Sequence, residues 1–297
     1  MRLGVLATPQ SWYVRDLQRA AEGRHAIDIL SFASLKAGLR PGPDVRSIVP
    51  GAAASESLPL DQYDAILVRS MPPGSLEQVV FRMNALHQLA AQGTPVFNPP
   101  RSLEVAVDKY LTSALLQRAG LPIPRTLTSQ TYDQALEDFH ALGGDVVLKP
   151  LFGGEGRGIT RLQDEAIAER VFRTLAQLGH VLYQQEFIAH PGHDLRVLVI
   201  GHKLFGMRRC NSDDWRTNVS RGATAEPLEV TEELAELARR AAAAVGVPFA
   251  GVDILPGPDG KLYLLEVNAV PGWRGLARAL QCDIASEVLD WIAAEIT

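Results

Sequence analysis

Three oxygen-bearing side chains near the C-terminus have a spacing that suits a metal ion. Glu266 and Asn268 lie two residues apart in the predicted strand KLYLLEVNA, and alternate residues of a strand point to the same face. Asp253 lies in the preceding predicted strand, FAGVDIL, and the turn-rich segment Pro256–Gly260 favours a hairpin between them. Carboxylate and amide oxygens are the ligands that Mg²⁺ prefers, particularly beside phosphates. The alternative is a hairpin with two solvated acids.

A glycine-rich segment upstream has the composition of a phosphate-binding loop. Four glycines stand within six residues, and such a backbone turns sharply so that successive N–H groups can surround phosphate oxygens. They are Gly153, Gly154, Gly156 and Gly158. Lys149 precedes the loop in an apolar strand, where a lysine is costly unless it meets a counter-charge. The segment matches neither the Walker A nor the Rossmann spacing. The alternative is a flexible hairpin tip with an edge lysine.

Other charged residues are candidates by position only. Lys109 lies inside a predicted helix, Glu186 ends the apolar strand VLYQQEF, and Asp194 begins the next strand. Each is also compatible with an ordinary solvated charge. Further along, Arg216-Thr217-Asn218 and Arg221 follow an acidic and aromatic stretch, and cations there can neutralise phosphate charge during transfer.

The predicted elements fall into three lobes. Residues 1–100 alternate strands and helices, which predicts a parallel sheet covered by helices. Residues 101–180 open with one predicted helix over 102–119, capped by Ser102 and ended by Gly120, and continue as a smaller α+β unit. Residues 181–297 carry antiparallel signals, including a hairpin turn at Gly201-His202. The fold class is therefore α/β with α+β lobes.

Composition excludes several other classes of protein. The 297 residues are 46% hydrophobic with a net charge of −5, so there is a sizeable core and no basic field that would attract nucleic acid or an anionic membrane. The two cysteines form no CxxC motif, which disfavours a disulfide framework or a zinc ribbon and indicates the reducing cytoplasm. The first apolar run is too short for a signal peptide or a membrane span.

Taken in this order, the motifs resemble the ATP-grasp ligases, and specifically the RimK-like branch. The resemblance covers about residues 98–280 and rests on Asp108-Lys109, VVLKPLFGGEGRGI, YQQEF, HDLRVLVIG, DDWRTNVSRGA, AGVDIL and LLEVNAVPG. It implies an ATP-grasp fold over residues 101–180 and 181–297, with residues 1–100 as a parallel-sheet pre-ATP-grasp domain on the substrate side. It also implies a homo-oligomer.

The resemblance also implies a role for each candidate residue. Lys109 and Lys149 bind the ATP phosphates, and the loop Gly153–Gly158 closes over them as a lid. The adenine and ribose pocket is lined by Gln185, Glu186 and Phe187, with Asp194 in support. Arg216 and Asn218 act near the γ-phosphate and Arg221 near an acyl-phosphate. Asp253, Glu266 and Asn268 hold two Mg²⁺ or Mn²⁺ ions.

The implied activity is ATP-dependent ligation of a carboxylate to an amine through an acyl-phosphate. The expected substrates are L-glutamate and a small coenzyme that bears a carboxylate, such as a methanopterin- or methanofuran-type one-carbon carrier. Alternatives are glutamylation of a protein tail, a carrier-protein-dependent ligase of amino-acid biosynthesis, a small-molecule kinase and a non-catalytic ATP-binding protein. The chain departs from close relatives at Arg274, where these often carry an acid. Ser11-Trp12-Tyr13 either contacts substrate or forms a packed aromatic pair.

Overall fold

The N-terminal residues form the predicted parallel sheet. The computed structural model describes residues 1–38, 59–154, 156–211, 214–217 and 222–297. The first sheet has the order β2-β1-β3-β4, with every pair parallel. Its elements are β1 (Arg2–Leu6), α1 (Trp12–Ala21), β2 (Ala26–Leu30), β3 (Ala65–Val68), α2 (Leu76–Ala91) and β4 (Val96–Phe97). Ser75 caps α2 through a reciprocal capping box with Gln78.

The single helix predicted over 102–119 is wrong. Two helices occupy this stretch, α3 (Pro100–Val107) and α4 (Lys109–Arg118), and the chain is extended between them at Asp108, where φ is −92° and ψ is 104°. The Asp108 carboxylate accepts a hydrogen bond of 3.0 Å from the Leu111 N–H, because aspartate stabilises a helix start better than a helix interior. Lys109 is therefore the first residue of a helix.

The middle of the chain forms a four-stranded antiparallel sheet with the order β5-β8-β6-β7. Its elements are β5 (Thr126–Ser129), α5 (Tyr132–Ala141), β6 (Val146–Lys149), β7 (Thr160–Leu162), α6 (Glu165–Gln177) and β8 (Leu182–Glu186). The glycine-rich loop joins β6 to β7, so its two ends are fixed by paired strands while the loop itself is free of the sheet. Lys149 lies in the predicted strand before the loop, and it is the last residue of that strand.

The C-terminal residues form a five-stranded antiparallel sheet with the order β11-β10-β9-β12-β13. Its elements are β9 (His193–Ile200), β10 (Lys203–Cys210), β11 (Thr224–Leu228), α7 (Glu232–Val245), β12 (Phe249–Pro256), β13 (Leu262–Asn268), α8 (Arg274–Leu280) and α9 (Ile284–Glu295). The predicted hairpin at Gly201-His202 is confirmed. The sequence did not predict β11 or α8. Every helix among the described residues is too short or too polar to cross a membrane.

Two of the three hydrophobic clusters join the first sheet to the third. One contains Leu6 and Val197, and the other contains Leu3 and Leu198. The buried Asn98 side chain reinforces this contact, since it donates to the carbonyls of Phe249 at 2.7 Å and Ala269 at 2.6 Å. The third cluster lies wholly within the middle lobe. The first and third sheets therefore share a core, and the middle lobe has its own.

Candidate active site

The proposed metal ligands lie together on the last two strands. Asp253 of β12 is paired in register with Glu266 of β13, and Gly251 is paired with Asn268. The register shifts between Asp253 and Ile254, so the extra residue of β13 falls immediately before Glu266. The hairpin that the turn-rich segment predicted is therefore confirmed, and it places the two carboxylates side by side at the sheet edge.

Asp253 is a buried carboxylate held by two arginines. Its oxygens accept from Arg196 Nε and Nη2, both at 2.6 Å, and Oδ2 lies 3.0 Å from Arg209 Nη2. Burial alone would raise the pKa of Asp253, but the two guanidinium charges outweigh burial and lower it. The carboxylate is therefore ionised and fixed in direction, which a metal ligand requires.

The donor set fits a hard divalent cation. Glu266 forms no hydrogen bond or ion pair within the described residues, so its carboxylate is available. Asn268 Oδ1 accepts from Val270 N at 2.8 Å and keeps a second lone pair. The described residues contain no group of three or more His, Cys, Asp or Glu side chains that suits a metal. Any ion here would therefore rest on two carboxylates and one amide oxygen, as Mg²⁺ or Mn²⁺ accepts.

Lys149 points toward these acids from the middle lobe. Its ammonium donates to Gln185 Oε1, and Gln185 Nε2 is held in turn by Thr126 Oγ1 at 3.0 Å and Tyr183 OH at 2.9 Å. Burial lowers the pKa of Lys149 to about 8, and only part of this effect is offset by the charge of Glu266. Neutral partners thus orient the Lys149 side chain. Because no acid among the described residues forms an ion pair with its ammonium group, that group can bind an anion.

Lys109, at the start of α4, is influenced by the charge of the same carboxylate, that of Glu266. Its ammonium donates to the Gly153 carbonyl at 2.6 Å, which ties the first glycine of the loop to the helix. Burial lowers the pKa of Lys109, while the charges of Glu266 and Asp108 raise it. Both lysines therefore share one electrostatic environment with Glu266, although they come from different elements.

The glycine loop adopts the conformations that glycine favours. Gly153, Gly156 and Gly158 have φ values of 120°, 70° and 72°. A Cβ at Gly158 would lie 2.8 Å from Pro150 Cγ, whereas a Cβ at Gly153 or Gly154 would meet nothing within 4 Å. The end of the loop is therefore constrained by close packing, and its first two glycines are unobstructed.

Two aromatic side chains pack together at the predicted adenine and ribose pocket. Phe187 contacts the Trp215 ring edge-on at 5.9 Å, and the Arg161 guanidinium lies 3.4 Å from the Phe187 centroid. Glu186 Oε1 accepts from the Arg125 backbone N–H at 2.8 Å, and its second oxygen has no partner among the described residues. Arg161 was not predicted as a site residue. Its only signal was a basic residue in the strand that follows the glycine loop.

The remaining predicted residues have three different outcomes. Asp194 is buried and forms a two-oxygen ion pair with Arg209, with Nε at 2.7 Å from Oδ1, so it supports the site through that arginine. Arg216 is paired with Asp214 and lines the same cavity as the lysines. Asn218 and Arg221 lie outside the described residues.

One cavity brings most of the candidate residues together. It is lined by Lys109, Lys149, Gln185, Glu186, Phe187, Asp194, Arg216, Asp253 and Glu266. We call it the first cavity. Gly154 and Asn268 line an adjoining second cavity of about 730 Å³, which Glu266 and Arg209 also border. Gly158 instead lines a groove beside α6. Gly153 and Gly156 border none of these three spaces.

The second cavity contains Arg69 and Arg278, which were not predicted, and Arg274, which was expected only as a departure from close relatives. Arg69 follows β3 directly, and Arg274 and Arg278 come from the unpredicted α8. A position just after a buried strand of a parallel sheet is where α/β proteins place ligand contacts, so Arg69 had a signal that was overlooked. Tyr13 also borders this cavity, and it packs edge-on against Trp12 at 5.3 Å. The alternative of a packed aromatic pair is therefore confirmed, and contact with substrate stays a prediction.

The chain is similar to known ligases. Residues 106–292 match the model of the RimK-like ATP-grasp domain. A tetrahydromethanopterin:alpha-L-glutamate ligase of Methanosarcina acetivorans is 32% identical over 324 aligned positions, which cover 98% of each chain. The alpha-aminoadipate–LysW ligase LysX of Sulfurisphaera tokodaii is 30% identical over 231 positions, covering 72% of this chain and 81% of LysX.

The solved structures agree on the fold. The ATP-grasp ligase PsnB, in complex with a minimal precursor, Mg and ADP, superposes with a TM-score of 0.74 at 24% identity, covering 99% of this chain and 97% of PsnB. The predicted ATP-grasp fold and the prediction of an ATP-dependent ligase are thus confirmed. On the domain match and the full-length similarity together, this chain belongs to the RimK-like ATP-grasp family.

Proposed function

We propose that this ATP-grasp ligase joins a carboxylate of a small coenzyme to the amine of L-glutamate, with an acyl-phosphate as intermediate. The observation that carries the proposal is the convergence of Lys109, Lys149 and the Asp253–Glu266 pair on one cavity that adjoins an arginine-lined second cavity. Nucleotide phosphates and an anionic substrate thus have adjacent sites. The glutamate ligase of M. acetivorans, similar over nearly its whole length, supports a tetrahydromethanopterin-type acceptor.

ATP would bind in the first cavity, with its phosphates on Lys109 and Lys149 and its base and ribose beside Gln185, Glu186 and Phe187. This cavity has a volume of about 100 Å³, well below the roughly 300–1,000 Å³ of ligand pockets. Nucleotide therefore enters only after the glycine loop or the middle lobe moves away. Movement of the loop would require the hydrogen bond from Lys109 Nζ to the Gly153 carbonyl to break.

Asp253, Glu266 and Asn268 would hold the divalent cations, which we propose number two. Mg²⁺ supplies compensation for the negative charge that gathers on the phosphates during transfer. The protein contributes the orientation of the ligands, since Arg196 and Arg209 fix both oxygens of Asp253. Glu266 borders both cavities, which puts its carboxylate at the boundary between the nucleotide and the substrate.

The proposed reaction has two displacements. A carboxylate oxygen of the coenzyme bonds to the γ-phosphorus of ATP, the bond from that phosphorus to the bridging oxygen breaks, and ADP leaves. The uncharged glutamate amine then bonds to the acyl carbon, the carbon–oxygen bond to phosphate breaks, and the nitrogen loses a proton as the amide forms. Arg216, Asn218 and Arg221 would offset the charge on the transferred group. Closure of the loop excludes water and protects the acyl-phosphate from hydrolysis.

The proposal is tested with purified enzyme, ATP, Mg²⁺, L-glutamate and tetrahydromethanopterin-type acceptors. ADP release that requires both substrates is expected, together with a product that has gained one or more glutamyl residues by mass spectrometry. A protein tail and a LysW-type carrier protein serve as rival acceptors, the latter because of the similarity to LysX. A stable phosphorylated product formed without any amine would indicate a kinase instead. Nucleotide binding with no ADP release under any combination would indicate a non-catalytic ATP-binding protein.

A further inference from the structure

Arg69 is a buried cation between the first and third lobes. It follows β3 directly, and only 6% of its surface is exposed. Its Nη2 donates to the Pro271 carbonyl at 2.8 Å. Its guanidinium lies 4.5 Å from the Trp273 ring centroid and 5.1 Å from that of Tyr13. Aromatic faces stabilise a cation only in part, and they leave its net charge in place.

The charge of Arg69 has no acidic partner in the part of the chain that the structure describes. Its Nε and Nη1 are buried and form no hydrogen bond there. Burial lowers the pKa of Arg69 to about 10. A buried, unpaired charge normally costs several kcal/mol, so proteins rarely keep one without use. Such a group is complementary to an anion that arrives from outside.

The cavity beside Arg69 has an excess of positive charge. Arg274 and Arg278 also line it, and neither forms an ion pair with another described residue. Arg274 instead lies 5.5 Å from the centroid of the Trp12 ring. Among the described residues, Glu266 is the only acid that lines the cavity, and it belongs to the proposed metal site. Three uncompensated arginines therefore surround a volume of about 730 Å³.

We propose that Arg69 is a specificity-determining residue, which recognises a carboxylate that does not react. This inference rests on the proposed function, because it assigns a substrate group to the second cavity. Both L-glutamate and the acceptor can supply such a carboxylate, and the chemistry of recognition is the same. Loss of the substrate charge leaves the buried guanidinium unpaired again, so a neutral analogue is disfavoured.

A purely structural role makes a different prediction. Arg69 connects β3 to the Pro271 carbonyl, so it contributes to the contact between the first and third lobes. If that were its whole role, replacing it would lower stability and weaken all ligands alike. Arg82 offers a matched control. It is also 6% exposed, and it donates to a proline carbonyl, that of Pro72, at 2.8 Å. Unlike Arg69, it borders neither cavity.

The test measures preference for charge by calorimetric binding to full-length enzyme loaded with ADP and Mg²⁺. One arm compares L-glutamate with L-glutamine, and the other compares glutarate with its monoamide as a mimic of an acceptor terminus. We expect Arg69→Met and Arg69→Gln to reduce the preference for the charged ligand at least about 30-fold in one arm, which identifies the source of the carboxylate. Arg69→Gln removes the charge but keeps a donor for Pro271, so it decides the matter if Arg69→Met does not fold.

Three results would overturn the proposal. The first is a wild-type enzyme that shows no preference for the charged ligand in either arm. The second is an Arg69 variant whose preference stays within about threefold of wild type in both arms. The third is an Arg82→Met variant that loses as much preference as the Arg69 variants. Failure of the proposed function is distinguished separately, because it appears as absence of ADP release from wild-type enzyme. The binding preference is measurable in either case.

Discussion

The two adjoining cavities differ in how their charges are balanced. In the first cavity most charged groups have an opposite charge nearby within the protein: the charge of Glu266 acts on both lysines, and Asp253 is held by Arg196 and Arg209. In the second cavity, Arg69, Arg274 and Arg278 have no acidic partner among the described residues. The protein itself therefore balances most of the charge in the first cavity, whereas in our proposal the arginines of the second cavity are neutralised by substrate.

Two buried arginines show the same contrast on a smaller scale. Burial alone would lower the pKa of Arg209, but the charges of Asp253 and Asp194 raise it. Arg69 is buried to a similar degree without an acid, and its pKa falls to about 10. Burial is thus the same in both cases, and the partner decides the outcome. A fixed partner indicates a role in structure, whereas a missing partner indicates a role in recognition.

The largest expected effect comes from removing the carboxylate that borders both cavities. Glu266→Gln keeps the size of the side chain but removes a proposed metal ligand, so kcat should fall about 10³-fold in the ADP-release assay. Glu287→Gln is the control, since this acid pairs with Lys203 and borders neither cavity. Full activity in the Glu266 variant would show that the metal assignment is wrong.

Removing the buried ion pair between Asp194 and Arg209 should lower the stability of the protein. Asp194→Asn leaves Arg209 with one acidic partner in a fully buried position, and the free energy of unfolding in urea should fall by about 3–5 kcal/mol. The exposed pair of Arg24 and Asp290 provides the control, because Arg24→Met should change stability by about 0–1 kcal/mol. Equal losses in the two variants would contradict the distinction between buried and surface pairs.

Removing Lys149, one of the two lysines that line the first cavity, should weaken nucleotide binding. Lys149→Ala eliminates a charge-assisted contact, and the Kd for ATP is expected to rise about 10- to 100-fold while thermal stability changes little. Lys203→Ala is the matched control on an exposed strand end. An unchanged Kd for ATP would place the phosphates elsewhere.

The lowered pKa of Lys149 predicts a smaller, pH-dependent effect. The side chain carries its charge below about pH 8 and loses it above, so ATP affinity should decline as pH rises through this value, by at most about tenfold per pH unit. Because the phosphates favour the charged ammonium, binding near pH 8 should also take up protons. Calorimetry in buffers of different ionisation enthalpy measures this uptake. The Lys149→Ala variant should lack it, and a wild-type enzyme without uptake would contradict the pKa assignment.

Local rules predicted the hairpin of Asp253 and Glu266 and the glycine loop, whereas the nucleotide-side residues such as Gln185 and Phe187 were expected only from the resemblance to the ATP-grasp family. The period of two in β13 and the turn residues before it were enough to bring Asp253 and Glu266 together, and glycine content located the loop. The helix break at Asp108 was missed because apolar spacing continues through it, although the preference of aspartate for a helix start overrides that pattern. Arg196 was missed for another reason: a charge inside a strand does not reveal which strand it will pair with.

The second cavity was largely beyond the reach of local rules. Arg69 and Tyr13 come from the first lobe, whereas Arg274 and Arg278 lie some two hundred residues later in the chain. Only the packing of the first sheet against the third brings them to one space. The roles of the individual site residues in both cavities stay predictions until the variants above are measured.

The separate core of the middle lobe has a consequence for how the molecule unfolds. Ala135, Phe139, Val146, Phe172 and Leu182 pack with one another and not with either of the other two clusters. This lobe therefore forms a second cooperative unit, whose amide protons can exchange with solvent while the rest of the molecule stays folded. In the proposed complex, nucleotide would contact both units, through Lys149 on one side and the metal site at Glu266 on the other. Deuterium uptake by residues 126–186 should accordingly slow as ATP saturates the enzyme. The exchange rate of the middle lobe would then report how much of the nucleotide site is occupied, although this lobe forms only part of that site.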